Sequence, residues 1–359
     1  MARQQKINTQ REGIRDMWAS SASSHRISLA AALIVAAVST GTPGKAGAEV
    51  AEVRIAQQYG IGYLPLHVIK HENLVAKHAK AAGLGEIPVR WAVLGGGSAM
   101  NDALLSDSVD LVSGGIGALV TIWAKTKGSL DVRGMAALGS LPIALVTSNP
   151  AVKTVKDFTD QDRIALPSVK VSIQAVTLQM AAEQAFGPGN QEKLDHLTVS
   201  MKHPDALAAL LSGRSEITSH FATPPYQEQE LAAPGIHKIL DSYSVVGSPV
   251  TLNSVWAKAA FRDKNPKTYA VVLAALREAM QIIEKDPQAA ARIYLAEDES
   301  KLDESLVLNI ITDSQVRFTT TPAAFGTYTD FMYRTGAIKV KAESWKDVFF
   351  PEVHGEAGS

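Results

Sequence analysis

The sequence contains no cysteine. Thiol nucleophiles, thiolate metal sites, disulfides and lipid attachment at an N-terminal cysteine are therefore excluded. It also has almost no net charge, −1 from 35 basic and 36 acidic residues. With no basic excess to neutralise phosphates, nucleic acid is not expected as a partner. The apolar run Ile27–Val38 is about a dozen residues, short of the roughly 20 needed to span a bilayer. The usual catalytic signatures are missing as well. Gly95–Gly97 lacks the lysine and Ser/Thr of a P-loop, and no GxSxG, HExxH or spaced carboxylate set occurs. No catalytic residue, metal or cofactor is expected.

What is present is ordinary for a globular chain of about two domains: 359 residues, 46% hydrophobic and 20% charged. The N-terminus is distinctive. Arg26, the apolar run Ile27–Val38, a Gly/Pro break and Ala46-Gly47-Ala48 together read as a secretory signal cut after Ala48. Met17 offers a more usual start for such a signal than Met1 does.

The organising stretch is Ala92–Val120. A strand ending at Leu94 meets Gly95-Gly96-Gly97, and Ser98 stands where a helix N-cap should precede Ala99–Leu105. A second strand, Val109–Ser113, meets a second glycine loop, Gly114–Gly117, and then an apolar helix. Two such junctions put free backbone N–H groups at neighbouring strand ends, which suits a small polar or anionic ligand. An ordinary pair of strand-to-helix turns would look the same.

The rest of the chain repeats this alternation. Tyr63 follows a Gly60-Ile61-Gly62 turn, and His67, His71 and His78 are read as a solvated helix face. The segment Gly139–Pro142 breaks one extended run, and a second run returns over Ser248–Trp256. Ser172 caps a predicted amphipathic helix, Ile173–Phe186, closed by Gly187. The middle third alternates strands with helices, predicting α/β with a largely parallel sheet. From Asn265 only helices are expected, with a loose tail from Glu352. The two breaks predict one lobe from 49–142 with 249–359 and another from 143–248, joined by hinges near 140–143 and 246–250.

Small polar residues and glycine recur at the predicted strand ends: Tyr63, Gly97 and Ser98, Gly115, Ser140, Ser168 and Ser172, then His220. These bind rather than catalyse. His220 could do acid–base work, but a histidine ending a strand is more often a hydrogen-bonding pocket or core residue. Phe221 and Tyr63 are candidates to wall an apolar portion of a ligand, core packing being the alternative.

The order and spacing of several motifs resemble one family. They are V-x-I-A (Val53–Ala56), G-x-G-Y (Gly60–Tyr63), the run Gly95–Gly115 and K-T-V-K-D-F (Lys153–Phe158). A-L-x-S…S-I-Q-A (Ala165–Ala175), A-L-L-S-G-R-S-E-I (Ala209–Ile217) and Pro224-Pro225-Tyr226 complete the set. The chain from about Val53 to Tyr294 is similar to the nitrate/taurine/aliphatic-sulfonate (NitT/TauT) binding proteins of ABC importers.

The resemblance implies a two-lobed type II periplasmic-binding-protein fold with a ligand cleft between the lobes. It also implies a periplasmic monomer that captures a small anionic or zwitterionic organic ligand (a sulfonate, taurine or a carboxylate) for an ABC permease. An exported enzyme or a ligand-presenting sensor on the same fold is the alternative. The chain departs from the family at Phe221-Ala222-Thr223, where an acidic residue or a Trp-acidic pair is common before the proline. It departs again in the longer loop Pro167–Val171, where Lys170 has no counterpart. The related thiamine-pyrimidine synthases use cysteine in the site, which this chain cannot supply.

Overall fold

The computed structural model describes residues 49–359, so the predicted signal lies outside the described residues. The first elements are β1 (Val53–Gln57), α1 (Leu64–His71), α2 (Leu74–Ala81), β2 (Val89–Val93) and α3 (Gly97–Leu105). Then come β3 (Leu111–Gly115), α4 (Ile116–Thr126), β4 (Arg133–Ser140), β5 (Ala144–Thr147) and β6 (Ile164–Leu166). The middle continues with α5 (Ile173–Phe186), β7 (Thr198–Ser200), α6 (His203–Ser212), β8 (Ser219–Ala222) and α7 (Tyr226–Leu231). β9 (His237–Asp241), α8 (Ser242–Val246) and β10 (Thr251–Ala257) follow. Six helices close the chain: α9 (Ala259–Lys264), α10 (Pro266–Lys285), α11 (Pro287–Glu297), α12 (Glu304–Ile311), α13 (Phe325–Arg334) and α14 (Trp345–Val348).

The strands form two five-stranded sheets, ordered β2-β1-β3-β10-β4 and β7-β6-β8-β5-β9. Each is mixed, with four strands pointing one way and one inserted against them. β1 runs parallel to β2 and β3, and β6 to β7 and β8, but β10 and β5 run antiparallel to both their neighbours. The reason lies in the chain path. β5 enters the second sheet directly from β4 of the first, and β10 returns from the second sheet to the first. A strand arriving from the other lobe inserts against the direction set by local strand–helix–strand units. Both faces are covered by helices, so β10 is buried at all seven positions and its sequence reads as a continuous run.

Helices follow their apolar stripes. On α10, Val271, Val272, Leu276, Met280 and Ile283 are all buried, as the spacing predicts. Three expectations fail. α5 is not amphipathic: Ile173–Ala182 is buried without interruption because α4, α8 and α13 pack around it. His67 does not face solvent but stacks on Tyr294 at 5.5 Å, with Nε2 2.6 Å from Gln57 Nε2. The C-terminus is not loose either. Val353 is fully buried, and Phe325 N–H donates to the Ser359 carbonyl at 2.7 Å.

Candidate ligand cavity between the two sheets

Both glycine-rich stretches end at the boundary between the two lobes, in forms the sequence did not suggest. α3 begins at Gly97 with Gly96 as its N-cap, so Ser98 lies inside the first turn with its side chain exposed. It is not the cap, because the backbone at Gly97 is already helical. Ser98 instead uses its N–H, donating to Ser168 Oγ of the opposite lobe at 3.3 Å. The second stretch is no loop: Gly114 and Gly115 are the last residues of β3, and α4 starts at the next residue.

The glycines serve close approach. A Cβ on Gly115 would lie 2.7 Å from Ile173 Cγ2, and one on Gly117 would lie 2.5 Å from the Val171 carbonyl oxygen. One obstacle is the first residue of α5 and the other lies just before it, so the missing side chains let the second lobe seat against the first. Ile61 N–H adds a further contact across the boundary, donating to the Pro224 carbonyl at 3.0 Å.

Where the two sides meet they enclose a cavity of about 20 Å³, close to the space one water occupies. From the first lobe come Gln58, Tyr59, Tyr63, Gly97, Gly115 and Asn253. The second lobe contributes Ser172, Gln174, His203 and Thr223. No lysine, arginine, aspartate or glutamate lines it. Tyr63 is N-cap of α1, Gly97 opens α3, Gly115 is N-cap of α4, Ser172 is N-cap of α5 and His203 opens α6. Five helix N-termini, whose dipoles place positive potential there, thus converge on an uncharged wall. Some of their N–H groups are already paired, Leu64 with Ile61, Ser98 with Ser168 and Ala175 with Ser172.

The polar atoms of this wall are set individually. Ser172 Oγ accepts the Ala175 N–H at 3.2 Å, which leaves its own proton to donate. Thr223 Oγ1 is buried without a hydrogen-bond partner. Tyr63 OH donates to Asn253 Oδ1 at 3.1 Å, and burial pushes its ionisation upward, so the phenol stays neutral. Of the residues singled out from sequence, the structure therefore brings Tyr63, Gly97, Gly115 and Ser172 together at the cavity. Ser168 stands just outside, bonded to Ser98. Ser140 is held at the end of β4 by paired backbone hydrogen bonds with Arg317. Phe221 is fully buried in β8 beside Leu145. Lys170 sits in a left-handed turn before α5 and does not line the cavity.

His220 does not reach the cavity. It lies behind His203, with Nε2 2.8 Å from His203 Nδ1 and Nδ1 2.6 Å from Glu230 Oε1. All three groups are buried. Burial pushes His220 down to about 3 and Glu230 up to about 8, so near neutrality this is an uncharged hydrogen-bonded pair and not an ion pair. His203 is likewise pushed well below its ordinary value by burial and by its neighbour His220. Sequence reasoning missed Gln58, Gln174, His203, Thr223 and Asn253. The position of His203 just before Pro204 was a usable signal, since it marks a helix start beside the other strand ends.

No protein-family model matches the sequence, and no curated protein matches it either. Solved structures do match the fold. One is the alkanesulfonate-binding protein SsuA of Xanthomonas axonopodis pv. citri bound to MOPS. It is 17% identical, with 81% of this chain and 95% of that chain covered and a TM-score of 0.63. Another is the periplasmic nitrate-binding protein NrtA of Synechocystis PCC 6803, at 15% identity, 84% and 85% coverage and a TM-score of 0.66. A Candida albicans gene product described as having the generic periplasmic binding protein structural fold matches at 15% identity, 83% and 93% coverage and a TM-score of 0.61. Two mixed sheets linked where β4 passes into β5 and α8 into β10, with helix N-termini meeting between them, thus place this chain in the two-lobed periplasmic-binding-protein fold.

Proposed function

We propose that the protein is a periplasmic solute-binding protein that captures a small organic anion or zwitterion and delivers it to an ABC importer. The observation that carries this reading is the convergence of helix N-termini from both lobes on a cavity with no charged side chain. Each N-terminus favours negative charge by roughly 0.3–1 kcal/mol, and up to about 2 in partly buried geometries. Several together hold an anion without an arginine. Ser172, Thr223, Gln174 and His203 add neutral donors, and Tyr59 and Tyr63 supply aromatic surface for the remainder of the ligand. A sulfonate or carboxylate meets these requirements, as does taurine. The sulfonate- and nitrate-binding proteins of the same fold support the class, and the signal read in the N-terminal sequence supports export.

The cavity as seated is far smaller than such a ligand. Entry therefore needs the lobes 49–142 with 249–359 and 143–248 to separate, pivoting where β4 passes into β5 and α8 into β10. Thermal denaturation of the chain without its signal, against methanesulfonate, taurine, nitrate and acetate, tests the reading. A ligand at about 100 times its Kd adds about 2.7 kcal/mol to folded-state stability by mass action. At least one of the four is expected to raise the Tm, with the shift growing with concentration. Failure of all four at millimolar concentration sinks the anion assignment.

A further inference from the structure

Gln174, His203, His220 and Glu230 form one buried hydrogen-bonded line running from the cavity wall through α6 and β8 to α7. Its distances are 3.4 Å (Gln174 Nε2 to His203 Nε2), 2.8 Å (His203 Nδ1 to His220 Nε2) and 2.6 Å (His220 Nδ1 to Glu230 Oε1). An amide nitrogen only donates, so with Gln174 placed as it is, His203 Nε2 accepts. In that arrangement His203 Nδ1–H donates to His220, His220 Nδ1–H to Glu230, and Glu230 is a carboxylate; with the Gln174 amide turned over, its Oε1 can instead accept from His203 Nε2–H. The carboxylate state is costly. Glu230 Oε2 has no partner, and among the described residues no lysine or arginine pairs with this carboxyl.

One added proton reverses the whole line. It enters at His203 Nε2, the proton on His203 Nδ1 passes to His220 Nε2, and the proton on His220 Nδ1 passes to Glu230. Two protons become three, every group is neutral, and His203 now presents an N–H to the cavity.

We propose that this line is a proton relay through which the ionisation of Glu230, remote from the cavity, decides whether His203 offers the ligand a donor or an acceptor. An anion seated against Nε2 selects the reversed line, so its binding takes up one proton whenever Glu230 starts ionised. The inference rests on the anion reading above and adds the group that tunes it. Because burial sets Glu230 at about 8, the donor form holds at and below neutrality and fades above pH 8.

Other groups packed around the line leave this intact. Tyr226 of α7 stacks on His203 at 5.5 Å, and burial pushes its ionisation upward. Asp298 and Tyr59 lie near Tyr226, and burial raises the carboxyl of Glu228 on α7. Lys202 and Asp205 pair with each other at 3.5 Å on the exposed end of α6.

Two measurements on the chain without its signal test the relay. Long-range ¹H–¹⁵N NMR of the histidine rings, without ligand, is expected to show His203 and His220 protonated on Nε2 at pH 6. At pH 9.5 both should be protonated on Nδ1. Titration with methanesulfonate is expected to give a constant affinity up to about pH 8 and a tenfold loss per pH unit above it. Glu230→Gln, whose amide keeps a donor for His220, should bind with no such loss. Rings that hold one tautomer from pH 6 to 9.5 overturn the proposal, and so does a Glu230→Gln variant that keeps the wild-type loss. Tautomers that switch as described with no methanesulfonate binding at any pH would instead count against the anion reading, with the relay upheld.

Discussion

At the scale of single residues, the buried carboxyl of Glu230 also writes itself into stability. Its ordinary value is near 4.5 and burial pushes it to about 8. Between those values the unfolded chain has released the proton and the folded chain holds it. Stability from this group is therefore whole below pH 4.5 and declines as pH rises to 8, by up to about 1.4 kcal/mol per unit. The histidines act in the opposite sense. His220 is pushed from 6.5 to about 3, so its contribution is whole above pH 6.5 and is lost as pH falls through the range below. Only Glu230 of this pair slopes between pH 6.5 and 8. Urea denaturation across that window should show Glu230→Gln gaining on the wild type as pH rises; parallel curves for the two proteins would refute the shift.

Nothing local pointed to Glu230. It lies 10 residues from His220, which lies 17 from His203, and the three sit on a helix, a strand and another helix. Such pairings arise only when the second sheet is assembled, and no periodicity encodes them. His67 shows the same limit, since its stacking partner Tyr294 is on α11.

At the scale of elements the sequence is more readable, because capping is local chemistry. Ser172 and Gly187 bracket α5 as their types predict, the serine accepting from Ala175 N–H and the glycine lying in a positive-φ conformation. Ser98 misleads because a glycine can open a helix as well as precede one, and the run of three hid where the turn begins. The strand-to-helix step at Gly115–Ile116 likewise has no loop of its own to leave a mark. Ser172 allows the cap and the ligand contact to be separated. Ser172→Ala should cost about 0.5–2 kcal/mol of stability through the lost cap. Ser172→Asp keeps a capping oxygen but replaces the donor proton with negative charge in the cavity. It is expected to hold wild-type stability in thermal denaturation while losing affinity for an anion at least tenfold. An aspartate variant that binds as well as wild type would show that the hydroxyl does not meet the ligand.

At the scale of the whole molecule, the glycines at the lobe boundary decide how far the two sides can close. Gly117→Ala would drive a methyl group into the Val171 carbonyl, and both are backbone-held. The variant should fold normally but stop short of the seated arrangement. Small-angle scattering with saturating ligand is expected to show compaction for wild type and a larger radius for Gly117→Ala, with weaker binding. Equal radii would mean that closure does not use this contact. At this scale the sequence marks the breaks at Gly139–Pro142 and Gly247–Val250, where the chain passes from β4 to β5 and from α8 to β10 between the two sheets. The antiparallel insertion of β5 and β10 was not legible, since strand direction depends on where the chain comes from.

The placement of α5 has a mechanical meaning of its own. Its first residues touch the cavity, whereas its far end lies by the crossings: Gln184 donates to the Val245 carbonyl at 2.8 Å, and Glu183 pairs with Arg334 of α13 at 2.6 Å. The segment leading to α13 flanks both crossings, through Ser140 with Arg317 and Thr251 with Ala323. α5 is about 20 Å long, so under the proposed lobe motion it would act as a lever with its fulcrum at the C-terminal end. Ten degrees of rotation about that fulcrum carries Ile173 about 3.5 Å. If the lobes pivot at the crossings as proposed, such a stroke would carry Ile173 away from Gly115, while the contacts at the C-terminal end of α5 would move far less.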